Sequence, residues 1–294
     1  MTRTIAFLIL LLGSQAGFAI SPYLSGEKVN GGDIDAVLAQ VEKKLLGQGF
    51  AVVGRHKPAG LAQHAALVVT DPGMLDAVRS LGGSAIVAAA IRIGVKADGT
   101  VSFMNPDYWY RAFLRSGFDK HDAAAKAVLS RLRKALGDGA AFGGDVEAND
   151  LPNYRYMFGM ERFDSSRNEL NSFPSFDEAV RTVRDNLSRN VGGTAKVYEI
   201  VMPAQKIAAF GVAMNDPESG EGYWVKKIGP DHIAAMPYEL YVVDGKVNAF
   251  YGRYRIALSW PALTMGTFMG IFGTPDAILE TMTRVAGAPA DRAR

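Results

Sequence analysis

The sequence predicts an α+β protein made of two similar halves packed together, and the repeated order of its elements indicates this class. In each half a helix precedes two strands, and an acid-proline corner, a hairpin and a closing helix follow. The corners are Asp71-Pro72 and Asp216-Pro217, and the hairpin turns are Asp98-Gly99 and Asp244-Gly245. Corner and turn are separated by nearly equal distances in the two halves. Such agreement is typical of a divergent internal repeat.

The first helix of each half carries one apolar stripe. The stripes use offsets of 0, 3, 4, 7 and 11 residues and consist of Ile34, Val37, Leu38, Val41, Leu45 and of Phe176, Ala179, Val180, Val183, Leu187. This spacing places the apolar side chains on one face of a surface helix. Ser175 precedes the second stripe and Glu178 comes three residues later, which predicts a capping box.

The strands and the closing helices are predicted from alternating apolar and polar residues and from the turn residues that bound them. Strands are predicted over 50–55, 65–70, 196–201 and 207–214, and hairpins over 91–103 and 238–250. Asp-Gly favours a tight hairpin because glycine tolerates positive φ. The closing helices are predicted over 122–136 and 275–286, with Thr274 as N-cap. Each half is expected to be a twisted antiparallel sheet with helices on one face.

Four segments are expected along the chain. Residues 1–19 are the signal peptide, 20–137 the first repeat, 138–153 a linker and 154–294 the second repeat. The junction is rich in Gly, Asp and Asn, which favours an exposed linker.

The N-terminus predicts export. Arg3 precedes an apolar run over 5–12, and Gly17 and Ala19 provide the small side chains that signal peptidase needs. The run is far shorter than the ~20 residues that span a bilayer. The protein is therefore expected in the periplasm or the medium, with no transmembrane segment after cleavage. An uncleaved anchor is the alternative.

Composition excludes several kinds of site. The chain contains no cysteine, which excludes disulfides, a thioether lipid anchor and thiolate metal ligands. Apolar residues make up 48% of the chain and the net charge is +2, values that do not favour a nucleic-acid partner. Hydrolase and phosphate-loop motifs such as G-x-S-x-G and H-E-x-x-H are missing, and the sequence requires no cofactor.

Four segments carry a resemblance to a known family. They are LVVTDPGMLDAV at 67–78, AAIRIGVKADGTVSFMNP at 89–106, AAFGVAMNDP at 208–217 and MPYELYVVDGKVNAFYG at 236–252. Their order resembles the bacterial domain-of-unknown-function family 302, as two tandem divergent copies behind a signal peptide. The resemblance implies TBP-like halves, each a curved antiparallel sheet with helices on one face. It implies no activity and no functional residue.

Aromatic and arginine residues predict a ligand site between the halves. If segments of both halves meet, Tyr and Trp would supply apolar walls and Arg would bind a carboxylate or phosphate. The ligand would be a small apolar or amphipathic molecule, or a protein partner would bind there. The candidate residues are Tyr108, Trp109, Arg111, Tyr156, Arg253 and Arg255. The alternative is that these aromatics form the interface between halves, with the Arg heads reaching water.

Metal binding and catalysis are alternatives. Met157, Met160, Met265 and Met269 are candidate ligands for copper or haem, although methionine is also a common core residue. His56 and His64 flank the first strand turn and are expected to be exposed. A carboxylate-dependent enzyme is a further alternative. Its candidate residues are Asp145, Glu147, Asp150, Glu161 and Asp164.

Overall fold

The computed structural model describes residues 17–289 and shows a mixed fold of α-helices and antiparallel sheets, which confirms the predicted α+β class. Most of the predicted signal peptide, residues 1–16, lies outside the described residues. Signal cleavage after Ala19 therefore stays a prediction.

The strands are short to medium in length and are numbered in chain order. They are β1 Ala19–Ile20, β2 Tyr23–Ser25, β3 Ala51–His56, β4 His64–Thr70, β5 Ile91–Lys96, β6 Val101–Met104, β7 Ala141–Phe142, β8 Val146–Glu147, β9 Glu169–Ser172, β10 Thr194–Met202, β11 Ile207–Met214, β12 Tyr238–Val243 and β13 Lys246–Ala249.

The α-helices flank these strands. They are α1 Ile34–Leu46, α2 Pro72–Leu81, α3 Pro106–Leu114, α4 Phe118–Leu136, α5 Phe176–Ser188, α6 Glu221–Ile228, α7 Gly252–Ser259, α8 Met265–Met269 and α9 Thr274–Val285. Two 3-10 segments, Gly83–Ala89 and Pro230–Ala235, precede β5 and β12, respectively.

The two main sheets share one strand order. The first sheet runs β3-β4-β5-β6-β2-β7 and the second runs β10-β11-β12-β13-β9, with antiparallel pairing throughout. Apart from β7, each strand of the first sheet has a counterpart at the same place in the second. The halves thus have the same connectivity, whereas common origin and a TBP-like shape stay predictions.

Several predicted elements are confirmed. Helix α1 buries Val37, Leu38, Val41 and Leu45, as the apolar stripe predicts. At the start of α5, the Ser175 hydroxyl accepts a hydrogen bond from the Glu178 N–H at 3.2 Å. Strand β11 has the predicted bounds, and α8 forms where Met265 and Met269 are four residues apart.

Other helices were not predicted from the sequence patterns. Asp71 ends β4 and caps α2, because its Oδ1 accepts the Met74 N–H at 3.0 Å. Asn105 caps α3 by accepting the Asp107 N–H at 3.2 Å. Residues 252–259, after the predicted hairpin, form α7. The N-cap of α9 is Gly273, not Thr274.

The predicted linker is partly structured. Its residues Ala141–Phe142 extend the first sheet beside β2, and Val146–Glu147 pair with β1. The Phe142 ring lies 5.5 Å from the ring of Tyr23, which explains why this stretch packs on the sheet. Leu151 is fully buried.

The halves pack reciprocally. Segment Gly83–Ala89 of the first half lies against β11 and β12, and Pro230–Ala235 of the second half lies against β4, β5 and β6. At Gly94 an added Cβ would stand 2.8 Å from the backbone nitrogen of Ala234, so this approach requires glycine. The edge strands β3 and β10 also meet. Each half therefore covers the inner sheet face of the other.

Candidate functional site

A cleft opens between the two halves. Its volume is about 710 Å³, within the range of small-molecule sites. The first half contributes Ser84 and Arg115. The second half contributes Phe163, Asp164, Ser165, Ser166, Arg167, Asn168, Glu169, Leu170, Asn171, Tyr241, Val243, Lys246, Asn248, Leu279 and Thr283.

The floor of the cleft is the inner face of the second sheet. Tyr241 and Val243 point to one side of β12 because side chains alternate along a strand. Antiparallel register pairs them with Asn248 and Lys246 of β13, so these four side chains share a face. Burial raises the pKa of Tyr241, which keeps its phenol neutral and able to donate a hydrogen bond.

The wall is a braced loop over 163–168. The Asn168 amide donates to the Phe163 carbonyl at 2.7 Å, and its oxygen accepts the Tyr251 N–H at 2.9 Å. The Phe163 ring packs 4.8 Å from the Phe250 ring. These contacts hold the loop in one place and preorganise the wall.

Arg115 is the most distinctive residue of the cleft. Its φ of 52° and ψ of −124° form a sparsely populated conformation, which costs a non-glycine residue about 1–3 kcal/mol. Its Nε donates to the Pro152 carbonyl at 2.9 Å, and its Nη2 lies 3.2 Å from Asp164 Oδ2. The guanidinium lies 5.3 Å from the Phe163 ring centroid. Arg115 and Phe163 also border a second depression of about 700 Å³.

Charged side chains of both signs line the cleft. Its lining includes the cations Arg115, Arg167 and Lys246 and the carboxylates Asp164 and Glu169. Lys246 Nζ pairs with Glu169 Oε2 at 2.7 Å. Arg115 pairs with Asp164 and Arg167 with Glu161, so each cation of the lining has a carboxylate partner.

Two of the predicted ligand residues meet at the centre of the protein. Arg255 Nε donates to Glu239 Oε1 at 2.7 Å, and Arg92 Nη1 donates to Glu239 Oε2 at 3.2 Å. The Trp109 ring lies near both guanidinium groups, 5.2 Å from that of Arg92 and 5.1 Å from that of Arg255. All four side chains are buried. The cluster joins the halves and leaves no cleft beside the indole.

Arg92 is only partly satisfied by hydrogen bonds. Its Nε and Nη2 have no hydrogen-bond partner among residues 17–289. The guanidinium faces the ring of Trp109 and lies 5.8 Å from that of Phe113, and both rings attract a cation through their π faces. Burial lowers the pKa of Arg92, and Glu239 opposes that effect.

The other predicted ligand residues lie in separate places. The Tyr108 hydroxyl donates to the Leu258 carbonyl at 2.8 Å in the core. Arg111 pairs with Asp107 at 2.8 Å and lies over the Phe118 ring, on the outer side of the first half. Tyr156 and Arg253 line an apolar crevice of only about 20 Å³. The six candidates therefore do not form one pocket.

The predicted methionines lie beside that crevice. Met160 and Met265 line it, while Met157 and Met269 are largely exposed. Among residues 17–289, no three His, Asp or Glu side chains are grouped so that they could hold a metal ion. Copper or haem binding by methionine stays a prediction.

Three of the five candidate carboxylates form ion pairs or hydrogen bonds with other groups, while Glu147 and Asp150 are exposed. Glu161 lies 3.2 Å from Arg167, Asp164 pairs with Arg115, and Asp145 accepts a hydrogen bond from Ser21 at 2.5 Å. The expectation for His56 was wrong, because it is buried and its Nε2 lies 2.5 Å from Glu221 Oε2. The reason is that the end of β3 faces the start of α6 across the interface.

Of the cleft residues, the sequence analysis singled out only Asp164, as a candidate carboxylate. Arg115 and Tyr241 follow no motif. They come together because α3 packs on Gly83–Ala89, which lies against β11 and β12 of the second sheet. No protein family matches the chain, nor does any curated protein or solved structure. Within residues 17–289 no helix has the length and apolar character to span a bilayer.

Proposed function

We propose that the protein is a non-catalytic binding protein that holds a small amphipathic ligand in the cleft between its halves. The observation that carries this proposal is the cleft of about 710 Å³, to which both halves contribute side chains. Sites of this size accommodate a small molecule and use a few polar groups to orient it. The site is thus between the halves, but beside Arg115 and not beside Trp109.

The ligand of this proposal has an acidic group and an apolar body. Arg115 presents a planar guanidinium that can bind a carboxylate or phosphate with two hydrogen bonds. Phe163, Tyr241 and Leu279 supply apolar surface on the other sides.

The proposal places this binding outside the cytoplasm. The support is the predicted signal peptide over 1–19 together with a chain that has no cysteine. Membership of the domain-of-unknown-function family 302 is part of the same proposal, supported by the four segments given above. A periplasmic or secreted binding protein would capture its ligand there.

The test has two stages. Native mass spectrometry of protein purified from the exported fraction of its own host would reveal a retained ligand. Calorimetric titration with aliphatic and aromatic carboxylates would then compare Arg115→Gln with Arg111→Gln. Both arginines pair with an aspartate near α3, but only Arg115 lines the cleft. We expect about tenfold weaker binding or more for Arg115→Gln and no change for Arg111→Gln.

Two outcomes contradict the proposal. Equal losses in the two variants would mean that the cleft does not hold the ligand. Binding lost only in Arg111→Gln would place the ligand on the outer side of the first half, beside Phe118. Circular dichroism of both variants checks that neither substitution unfolds the protein.

A further inference from the structure

Exposed apolar side chains concentrate at one end of the second half. Of the nine large apolar side chains exposed among residues 17–289, five belong to two neighbouring segments. We call these five the apolar tip: Met157, Phe158, Met265, Met269 and Phe272. Phe158 is 93% exposed and Met269 and Phe272 about 60%, so they contact little of the protein itself. Contiguous exposed apolar surface usually marks a binding surface.

The two segments of the apolar tip are packed side by side. Tyr156 and Met160 share the small crevice with Leu263, Met265 and Phe268. The rings of Phe268 and Phe272 lie 6.4 Å apart. The loop 155–160 and helix α8 therefore present their exposed side chains in one region.

The apolar tip satisfies its own polar groups. Residues 256–275 contain no Asp, Glu, Lys, Arg or His. The Thr264 hydroxyl accepts the Thr267 N–H at 3.2 Å and lies 3.0 Å from the Thr267 hydroxyl. Backbone N–H groups at Phe268, Gly270 and Ile271 donate within the same turn region. A segment that pairs its polar groups internally can leave water at low cost.

Cations border the apolar tip. The Arg155 guanidinium lies 5.1 Å from the Phe158 ring centroid, and Lys227 Nζ donates to the Gly270 carbonyl at 3.1 Å. Glu161, the first acidic residue after the loop 155–160, is mostly buried and pairs with Arg167 and Arg253. Apolar side chains beside Lys and Arg are the combination that binds anionic membrane surfaces.

We propose that the apolar tip inserts into the headgroup region of an anionic lipid bilayer, so that the protein works at a membrane surface without spanning it. Protein interfaces form about one hydrogen bond per 100–200 Å². The segment that carries the apolar tip has few free donors or acceptors for such hydrogen bonds, because the hydroxyls of Thr264 and Thr267 bond each other. A bilayer needs no such partners and attracts the basic border.

The absence of cysteine makes a local test possible. Phe158→Cys and Met269→Cys each introduce one thiol into the full chain for a polarity-sensitive fluorophore. Leu46→Cys is the matched control, because Leu46 is an exposed apolar residue at the end of α1. We expect a blue shift at positions 158 and 269, and none at 46, when vesicles of phosphatidylcholine and phosphatidylglycerol in equal parts are added. This readout does not depend on residues 1–19.

Substitutions then measure how much the apolar tip contributes. Vesicle flotation should show weaker binding by about tenfold for each of Phe158→Ser and Met269→Ser, and no change for Leu46→Ser. Lys227→Gln should reduce binding to the mixed vesicles but not to pure phosphatidylcholine.

Three results would overturn the proposal. The first is no spectral shift at 158 and 269, and the second is an equal shift at 46. The third is a dimer seen by sedimentation velocity without vesicles that Phe158→Ser dissociates. That result would assign the apolar tip to self-association.

Discussion

The cleft over the second sheet contrasts with the corresponding place over the first sheet, which is filled. There His232 stacks on Trp260 with ring centroids 5.4 Å apart, and Tyr23 lies 4.9 Å from the imidazole. The Phe142 ring closes the group at 5.8 Å from His232. These four rings fill the place over the first sheet. The corresponding space over the second sheet, beside Arg115, stays open.

The contrast follows from residues at matching positions. Trp260 is the C-cap of α7, where α3 has Arg115 as its C-cap. His232 precedes β12 by six residues, where the first half has Ala85 at the same distance before β5. An aromatic pair fills one inner face, whereas an alanine and an arginine leave the other accessible. The same scaffold thus provides a core cluster in one place and an open cleft in the other.

Removing Trp260 should have the largest effect and should convert the filled place into a cavity. Trp260 is buried, and its Nε1 donates to the Gly229 carbonyl at 3.1 Å. We expect Trp260→Ala to lower the free energy of unfolding by about 3–5 kcal/mol. Added indole should restore part of this loss in urea melts, because it fits the space and can donate the same hydrogen bond.

The control for this prediction is Phe272→Ala. Phe272 is 61% exposed, so its removal should cost less than about 1 kcal/mol and indole should not restore it. Equal losses in the two variants would mean that the aromatic cluster does not stabilise the first half.

The buried charges between the halves should give the next largest effect. Arg92 and Glu239 are each the second residue of their strands, β5 and β12, so the halves carry opposite charges at one position. Glu239→Gln leaves Arg92 and Arg255 buried without a counter-charge. We expect a loss of about 3 kcal/mol in the free energy of unfolding by urea.

Glu199→Gln is the matched control for the charge prediction. Glu199 pairs with Arg184 near the surface, where water screens the interaction, and the loss should not exceed about 1 kcal/mol. A similar loss in both variants would show that Glu239 does not compensate the two arginines.

Local sequence patterns were sufficient for much of the fold. The stripe from Ile34 and the alternation over 207–214 predicted α1 and β11, because helices and strands of this kind have a fixed period. The helices after Asp71 and Asn105 were missed. Both residues satisfy helix N–H groups with their side chains, a role that turns also use.

The site was harder to predict than the fold. The sequence suggested that aromatic and arginine residues of both halves meet, and Trp109 and Arg255 do lie 5.1 Å apart. Arg255 forms an ion pair with Glu239, and Arg92 lies over the Trp109 ring. The linear sequence cannot show these partners. Arg115 lies four residues from Arg111 but faces the cleft, because it ends α3 with a positive φ.

His232 should make the filled place sensitive to pH. Burial lowers the pKa of His232 below its ordinary 6.5, although the Ser259 carbonyl and Asp231 oppose the shift. As pH falls below about 6.5, the unfolded chain takes up the proton before the folded protein does, so the free energy of unfolding decreases. His232→Gln should flatten this decrease in urea melts.

His64→Gln provides the comparison for the pH prediction. Burial and Lys96 also lower the pKa of His64, but this side chain is more exposed. Its substitution should flatten the decrease less than His232→Gln does. The reverse order would mean that the aromatic cluster does not resist protonation.

The smallest effect on stability is expected at the rim of the cleft, where a substitution should weaken ligand binding and leave the free energy of unfolding almost unchanged. Lys246 and Glu169 form an exposed pair, so Lys246→Gln should change the free energy of unfolding by no more than about 0.5 kcal/mol. Carboxylate binding should weaken, more at low salt than at high salt, because exposed charges are screened. Lys96→Gln is the control, since Lys96 pairs with Asp231 beside the filled place. It should leave carboxylate binding unchanged, and a loss of binding there would mean that the filled place also admits ligand.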